Sequence, residues 1–302
     1  MKILAIGDFH GKIPKKLKSR VKRYIDDVDL ILSPGDYSGS DKYSKLFFKY
    51  VYGKRDANME TMLGKRRFNK LMKEILDSGI NAVRWLNSLN KPILGITGNW
   101  DSSKYSEIGW SHKENNYENN KNYMIFANVF YGKIKKFRNF KFIEMSKSRF
   151  KDLTIIGHTK SSYPGNYNVI NKKIYIIKYG LKKFNIIRNN MKKDYIVREK
   201  KFNKLFNKEK NVIFLGHNSP YGMLDIIGKK GHNLSKGEHY GDYLVRKTIL
   251  KWKPRVYICG HMHEHQGLAK LGKTLIVNTG PGHDGKFAII DYGEKIKVKL
   301  IK

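Results

Sequence analysis

The chain has 302 residues, with 61 Lys and Arg against 26 Asp and Glu, a formal charge of +35. Its length and 40% hydrophobic content supply a buried core and argue against a disordered chain. The single cysteine, Cys259, excludes an intrachain disulfide and a cysteine-rich zinc site, and no apolar run approaches the roughly 18 residues that cross a membrane.

From the N-terminus, the apolar run 2–6 ends in Gly-Asp-Phe-His-Gly at 7–11. Its apolar part, Ile3 to Ile6, is too short for a secretory signal and predicts a strand. The mixed stretch 15–26 predicts a helix. The run 28–32, interrupted by Asp29, passes through Ser33 into Pro-Gly-Asp at 34–36. A second helical stretch covers about 55–89. The run 92–97 then enters Gly-Asn-Trp-Asp at 98–101. Short apolar runs bounded by glycine predict buried strands.

The stretch 102–210 is the least organised. Polar residues 116–122 predict a loop. Strand-like segments lie near 123–130, 133–145, 153–157 and 173–178. The segment 192–210 predicts a basic amphipathic helix with Tyr195, Ile196, Phe202, Leu205 and Phe206 as its apolar residues. His158, after Ile155-Ile156-Gly157, imitates the strand-then-histidine signatures but reads as a hydrogen-bonded or surface histidine.

Beyond this, 212–215 runs into Gly-His-Asn-Ser-Pro at 216–220, and 256–259 runs into Gly-His-Met-His at 260–263, with a helical stretch at 240–252 between them. Segments 267–277 and 285–301 alternate and contain glycine turns such as Leu271-Gly272-Lys273, which predicts antiparallel hairpins. Strands alternating with helices predict an α/β layered core. We expect one domain over 1–302, elaborated by a basic insertion around 102–210.

Five of the strand-like runs deliver polar side chains just past a glycine: Asp8, His10, Asp36, Asn99, His217, His261 and His263. Ligands of α/β sheets gather beyond the carboxyl ends of strands. Seven oxygen or nitrogen donors exceed the four of one tetrahedral zinc site and suit two metals sharing a carboxylate. Two metals a few ångströms apart clamp a phosphoryl group and activate a hydroxide.

The ordered set Gly-Asp-x-His, Gly-Asp, Gly-Asn-x-Asp, Gly-His and Gly-His-x-His resembles the calcineurin-like metallophosphoesterase superfamily. The pieces at 217–222, 237–241, 260–264 and 274–281 resemble its small microbial cyclic-phosphodiesterase-like branch. The resemblance covers 1–101 and 211–301. It implies a four-layer αββα sandwich, two mixed sheets flanked by helices. It also implies that Asp8, His10 and His263 bind one metal, that Asn99, His217 and His261 bind the second, and that Asp36 bridges them. Asp36, Asn99 and His217 are then the catalytic residues, and a bridging hydroxide attacks phosphorus in line. Manganese is the first choice of metal, with iron, zinc or nickel as alternatives.

The sequence departs from this family at Trp100, where many members carry histidine after the asparagine. Tryptophan has a donor N–H but transfers no proton. Trp100 reads either as packing or as a wall that contacts substrate. His239 and His283 stand nearest the signatures as substitute proton donors, and His239 is a second candidate for substrate contact. Asp101 reads as a turn holder or as a partner of a metal ligand.

The expected activity is hydrolysis of a phosphate ester, with diesters favoured, in the cytoplasm. The charge of +35 attracts polyanions whatever its origin, so nucleic acid is a candidate partner and a metal-dependent nuclease is the first alternative. Lysine far outnumbers arginine, and asparagine and isoleucine are abundant, a pattern that genome composition alone produces. The second alternative is a non-catalytic scaffold on the same fold.

Overall fold

Successive strand residues point to opposite faces, and eight of the twelve described strands are buried on both. A computed structural model describes residues 1–51, 54, 57–101, 128–158, 172–228 and 236–302. The strands are β1 (Lys2–Ala5), β2 (Leu30–Ser33), β3 (Ile93–Gly95), β4 (Phe140–Phe142), β5 (Lys147–Phe150), β6 (Leu153–Gly157), β7 (Val212–Leu215), β8 (Val256–Cys259), β9 (Gly267–Leu271), β10 (Thr274–Asn278), β11 (Phe287–Asp291) and β12 (Lys297–Ile301). They form two six-stranded sheets, ordered β12-β11-β1-β2-β3-β4 and β5-β6-β7-β8-β10-β9. Both are mixed. β1 to β4 run parallel and β11 and β12 antiparallel in the first. β6, β7, β8 and β10 run parallel in the second, edged by antiparallel β5 and β9.

Strand parity sorts the apolar residues into three cores. Ile3 and Ala5, Ile213 and Leu215, Val256 and Ile258, and Ala288 and Ile290 meet between the sheets. Their neighbours Leu4, Ile6, Phe287 and Ile289 face the other way, onto Leu17 and Val21 of helix α1 (Lys15–Lys22) and Ile80, Val83 and Leu86 of a long helix after β2. Val212, Phe214, Tyr257 and Cys259 face Phe202, Phe206, Leu244 and Ile249 of helices on the far side. The result is helix, sheet, sheet, helix. Each fully buried aliphatic side chain contributes about 1.5–3 kcal/mol, so the central core is the main source of cohesion between the sheets.

The helices between β2 and β3 are α2 (Asp41–Tyr50), α3 (Met59–Leu63) and α4 (Lys65–Asn87). The predicted 55–89 helix is thus split at Gly64, which takes φ 74°. Helix α2 has no counterpart among the expected elements. Ser40 caps it by accepting the Tyr43 N–H, and its aromatic residues pack on α3 and α4 rather than on a sheet.

Two expectations in the middle are corrected. The segment 128–134 is helical, as α5, and strand structure begins only at Phe140. Phe130, Ile134 and Phe137 follow a helical spacing and pack in the first core, a period hidden by the alternation of Ile134, Phe140 and Phe142. The segment 173–178 is helical too, within α6 (Lys172–Phe206), which breaks at Gly180 with φ 75° and ψ 164°. A short β-branched run specifies a strand only where a sheet edge receives it. The loop expected at 116–122 and the segment 123–127 lie outside the described residues. The span 102–210 contributes β4 to the first sheet and β5 and β6 to the second.

Helix α7 (Tyr243–Trp252) matches its predicted stretch. Asp242 caps it by accepting the Val245 N–H at 3.1 Å. No helix of the described residues is long and apolar enough to cross a membrane.

Candidate metal centre

β1, β2 and β3 are parallel neighbours in one sheet, and β7 and β8 in the other. Their carboxyl ends therefore share an edge of each sheet, and the two edges meet. The five loops beyond them are tied together by backbone bonds. Asp8 N–H donates to Gly35 O at 2.8 Å, and the N–H groups of Phe9 and His10 donate to Asp36 O at 2.8 and 3.0 Å. Gly260 N–H donates to His217 O at 3.0 Å. The Asp101 carboxylate accepts N–H groups from Tyr37 (3.2 Å), Ser38 (2.8 Å) and Gly98 (2.9 Å), joining the β3 loop to the β2 loop. Asp101 is therefore the turn holder that sequence alone left undecided.

Turns this tight have a conformational cost. Asp8, His10, Asp36 and His261 all take positive φ, at 52°, 45°, 55° and 63°. Each non-glycine residue held there costs about 1–2 kcal/mol. Glycine is needed where carboxylates press on the backbone. A Cβ at Gly98 would fall on Asp36 Oδ1, and one at Gly260 on Asp8 Oδ2.

All seven donors converge. Asp8, His10 and His263 form one cluster and Asp36, His217 and His261 another, each with ligand atoms within 4.8 Å of one another. Asp36 Oδ2 stands 3.5 Å from His10 Nε2 in the first cluster and 3.5 Å from His217 Nε2 in the second. Asn99 Oδ1 lies 2.8 Å from His217 Nε2 and 2.9 Å from His261 Nδ1.

The donor chemistry fits cations. His217 Nδ1 donates to Pro34 O at 2.8 Å, which leaves Nε2 of the neutral ring as a lone pair facing the oxygens of Asn99 and Asp36. His10 Nε2 and His263 Nε2 face each other at 3.1 Å. Lone pairs aimed at a common point repel unless a proton or metal lies between them.

Without a cation, the pairing with Asp36 keeps a proton on His217 at that point. Burial alone would raise the Asp36 carboxyl, but His217 and His10 hold it below the usual carboxylate range. Burial would raise Asp8 too, and His263 holds it down. Burial would lower His217, yet Asp36 carries it up to about 9. Burial pushes His10 down to about 4, and burial followed by the charge on His217 pushes His261 down to about 3. Burial and then the Asp36 charge push Asp101 up to about 6.

The other candidates separate. Trp100 is half-buried, its backbone N–H donating to Asp36 Oδ1 at 2.8 Å and its indole edge-on to His10 at 5.7 Å. His283 packs against His10 and His263 at 5.3 and 5.1 Å, with Nδ1 2.9 Å from Asp8 O. His239 pairs with Asp225 at 2.8 Å beside the Tyr221 ring, and its described contacts include none of the seven donors. His158 is buried and bonded to Asp242 at 3.2 Å, as a hydrogen-bonded rather than a surface histidine. Sequence reasoning missed Tyr43, which packs on Trp100 at 5.6 Å, and Tyr240, which stacks on His261 at 6.1 Å. Nothing in an isolated tyrosine marks it for such a place.

The profile of the calcineurin-like phosphoesterase family matches residues 1–265. An uncharacterized protein of Methanocaldococcus jannaschii is 35% identical over 89 residues, which span 28% of this chain and 38% of that protein. Among solved structures, one aligns over 100% of this chain and 99% of its own, at TM-score 0.61 and 15% identity. The TT1561 protein of Thermus thermophilus aligns over the same shares at TM-score 0.53 and 15% identity. Likeness at this identity speaks for the fold alone.

Proposed function

This chain belongs to the calcineurin-like phosphoesterase family, and from that premise we propose that it is a metal-dependent hydrolase of phosphodiesters, one domain over 1–302. The observation that carries the reading is Asp36 Oδ2, equidistant at 3.5 Å from a histidine of each cluster. In this reading Asp8, His10 and His263 hold one divalent ion, Asn99, His217 and His261 hold the other, and Asp36 serves both. Bound ions supply Lewis-acid activation of water and charge neutralisation.

The remaining work falls to the chain. Asp8 and Asp36 contribute only two negative charges, so a filled site stays attractive to an anionic ester. Asp101 holds the Asp36 and Asn99 loops in register. Trp100 contacts the substrate and offers no transferable proton. This suits esters whose leaving oxygen needs little protonation. His283, against the first cluster, is better placed than His239 to bond a substrate oxygen. The diester preference rests on the resemblance at 217–222, 237–241, 260–264 and 274–281. Manganese is the first metal to test, because oxygen and imidazole donors admit it and the donor set alone does not select.

The test is hydrolysis of bis(4-nitrophenyl) phosphate, 4-nitrophenyl phosphate, a cyclic nucleotide, and single-stranded DNA and RNA, with manganese added or chelated. Manganese-dependent turnover of the small diester supports the reading. Cleavage of the polymers at moderate salt would favour the nuclease that the +35 charge suggests. No turnover on any member after metal loading would favour the scaffold.

A further inference from the structure

Each of the two donor clusters has an aromatic ring packed on one of its histidines, and at the first cluster the rings continue along a helix. The Trp100 indole lies edge-on to His10, interplanar angle 82°, and edge-on to Tyr43 at 78°. Tyr43 in turn stacks on Phe47 with ring centroids 6.2 Å apart and planes within 11°. Tyr43 and Phe47 are four residues apart on α2, so they share a face of that helix. Lys42, Lys45 and Lys49 on the same helix are exposed. At the second cluster, Tyr240 stacks on His261 with planes within 21°.

Tryptophan is large and apolar, and it gains most by full burial. Trp100 is instead half-exposed, at the position adjoining a candidate ligand, with its backbone N–H anchored to Asp36. Tyr43 packs T-shaped against it at 5.6 Å and His10 at 5.7 Å, so the indole is held in place beside the site. A fixed indole next to a phosphate-binding centre is suited to a planar ring attached to that phosphate. Among phosphate esters, an anionic phosphate joined to a planar aromatic ring is the chemistry of a nucleotide.

Resting on the phosphoesterase reading, we propose that Trp100, backed by Tyr43, is a specificity-determining residue that stacks on the base of a nucleotide ester. Tyr240, on His261, adds a second ring at the same centre. The exposed lysines of α2 extend the positive surface away from the centre, which suits further phosphates. The base is that of a free nucleotide ester or of a nucleic-acid strand.

The test compares AMP with ribose 5-phosphate, which differ by the base alone, by calorimetric titration of manganese-loaded protein. AMP is expected to bind roughly ten-fold tighter, the scale of one stacked base. Trp100→Leu brings the two ligands within about two-fold, and Trp100→Phe retains most of the difference. Equal binding of the two ligands by the unmodified protein overturns the proposal, as does a ten-fold preference that survives in Trp100→Leu. Should Trp100→Leu fold poorly by circular dichroism, the comparison in the unmodified protein and in Trp100→Phe still decides. A single-stranded oligothymidylate that binds tighter than AMP, with a steep salt dependence, supports stacking on a strand. One that binds no tighter supports stacking on a free nucleotide. If ribose 5-phosphate binds with manganese and the small diester is turned over, the phosphoesterase reading survives the loss of this one.

Discussion

His217, from the loop after β7, donates its Nδ1 proton to the carbonyl of Pro34, from the loop after β2, across 2.8 Å. One sheet thus orients a candidate ligand supplied by the other. The same bond makes His217 Nε2 the face turned to Asp36 and Asn99. Replacing the ring removes both the proposed ligand atom and this link. His217→Ala is expected to cut metal-dependent turnover by about a thousand-fold or more and to lose one bound ion, because loss even of an orienting partner costs metal sites 10–100-fold. Turnover within ten-fold of the unmodified protein would count against His217 as a ligand.

The Asp101 carboxylate accepts three backbone N–H groups from two site loops. An amide has one acceptor oxygen and a donor NH2 that would face an N–H. Asp101→Asn is expected to destabilise the protein by about 1–3 kcal/mol and to weaken metal binding by about 10–100-fold. Thermal melting with and without manganese checks both. A variant that matches the unmodified protein in both would show that the loops hold their register without it.

The metal-free protein should have a peaked stability profile against pH. His217 keeps its proton up to about pH 9 against an ordinary 6.5, so its stabilising term is full below 6.5 and is lost as pH rises toward 9. His10 and His261 are depressed to about 4 and about 3. The unfolded chain therefore takes up their protons first, and stability falls as pH drops from 6.5 through those values. In chelator, the melting temperature is expected to peak near 6.5 and decline on both sides. A flat profile from 6.5 to 9 would contradict the His217–Asp36 pairing.

On α6, Phe202 is 1% exposed against Phe214 of β7, whereas Ile196 is 45% exposed. Phe202→Ala is expected to cost about 3–5 kcal/mol, and Ile196→Ala less than about 0.5 kcal/mol. Chemical denaturation of the two variants measures the difference. Equal losses would mean that α6 presents another face to the second sheet.

That helix also shows where sequence stops being informative. Tyr195, Ile196, Phe202, Leu205 and Phe206 are alike in hydrophobicity, but a helix buries a stripe, and Ile196 falls outside it. The ligand loops are legible because glycine next to Asp or His after a short apolar run has few bland explanations. The seven donors marked by that pattern all converge on one centre. The two-sheet sandwich is legible as well, because parity along β1, β7, β8 and β11 assigns each residue to one of two cores. Helix α2 is not, since the described contacts of its apolar face are with α3, α4 and Trp100 rather than with a sheet. The strand expected at 173–178 fails because β-branched residues express their preference only beside a partner strand.

Counting metal tests the central claim most directly. The protein would be loaded with manganese, desalted and analysed by mass spectrometry for ions per chain. Two are expected, with His263→Ala and His261→Ala each retaining one. One ion or none in the unmodified protein, or a count that neither substitution changes, would contradict a binuclear centre built on Asp36.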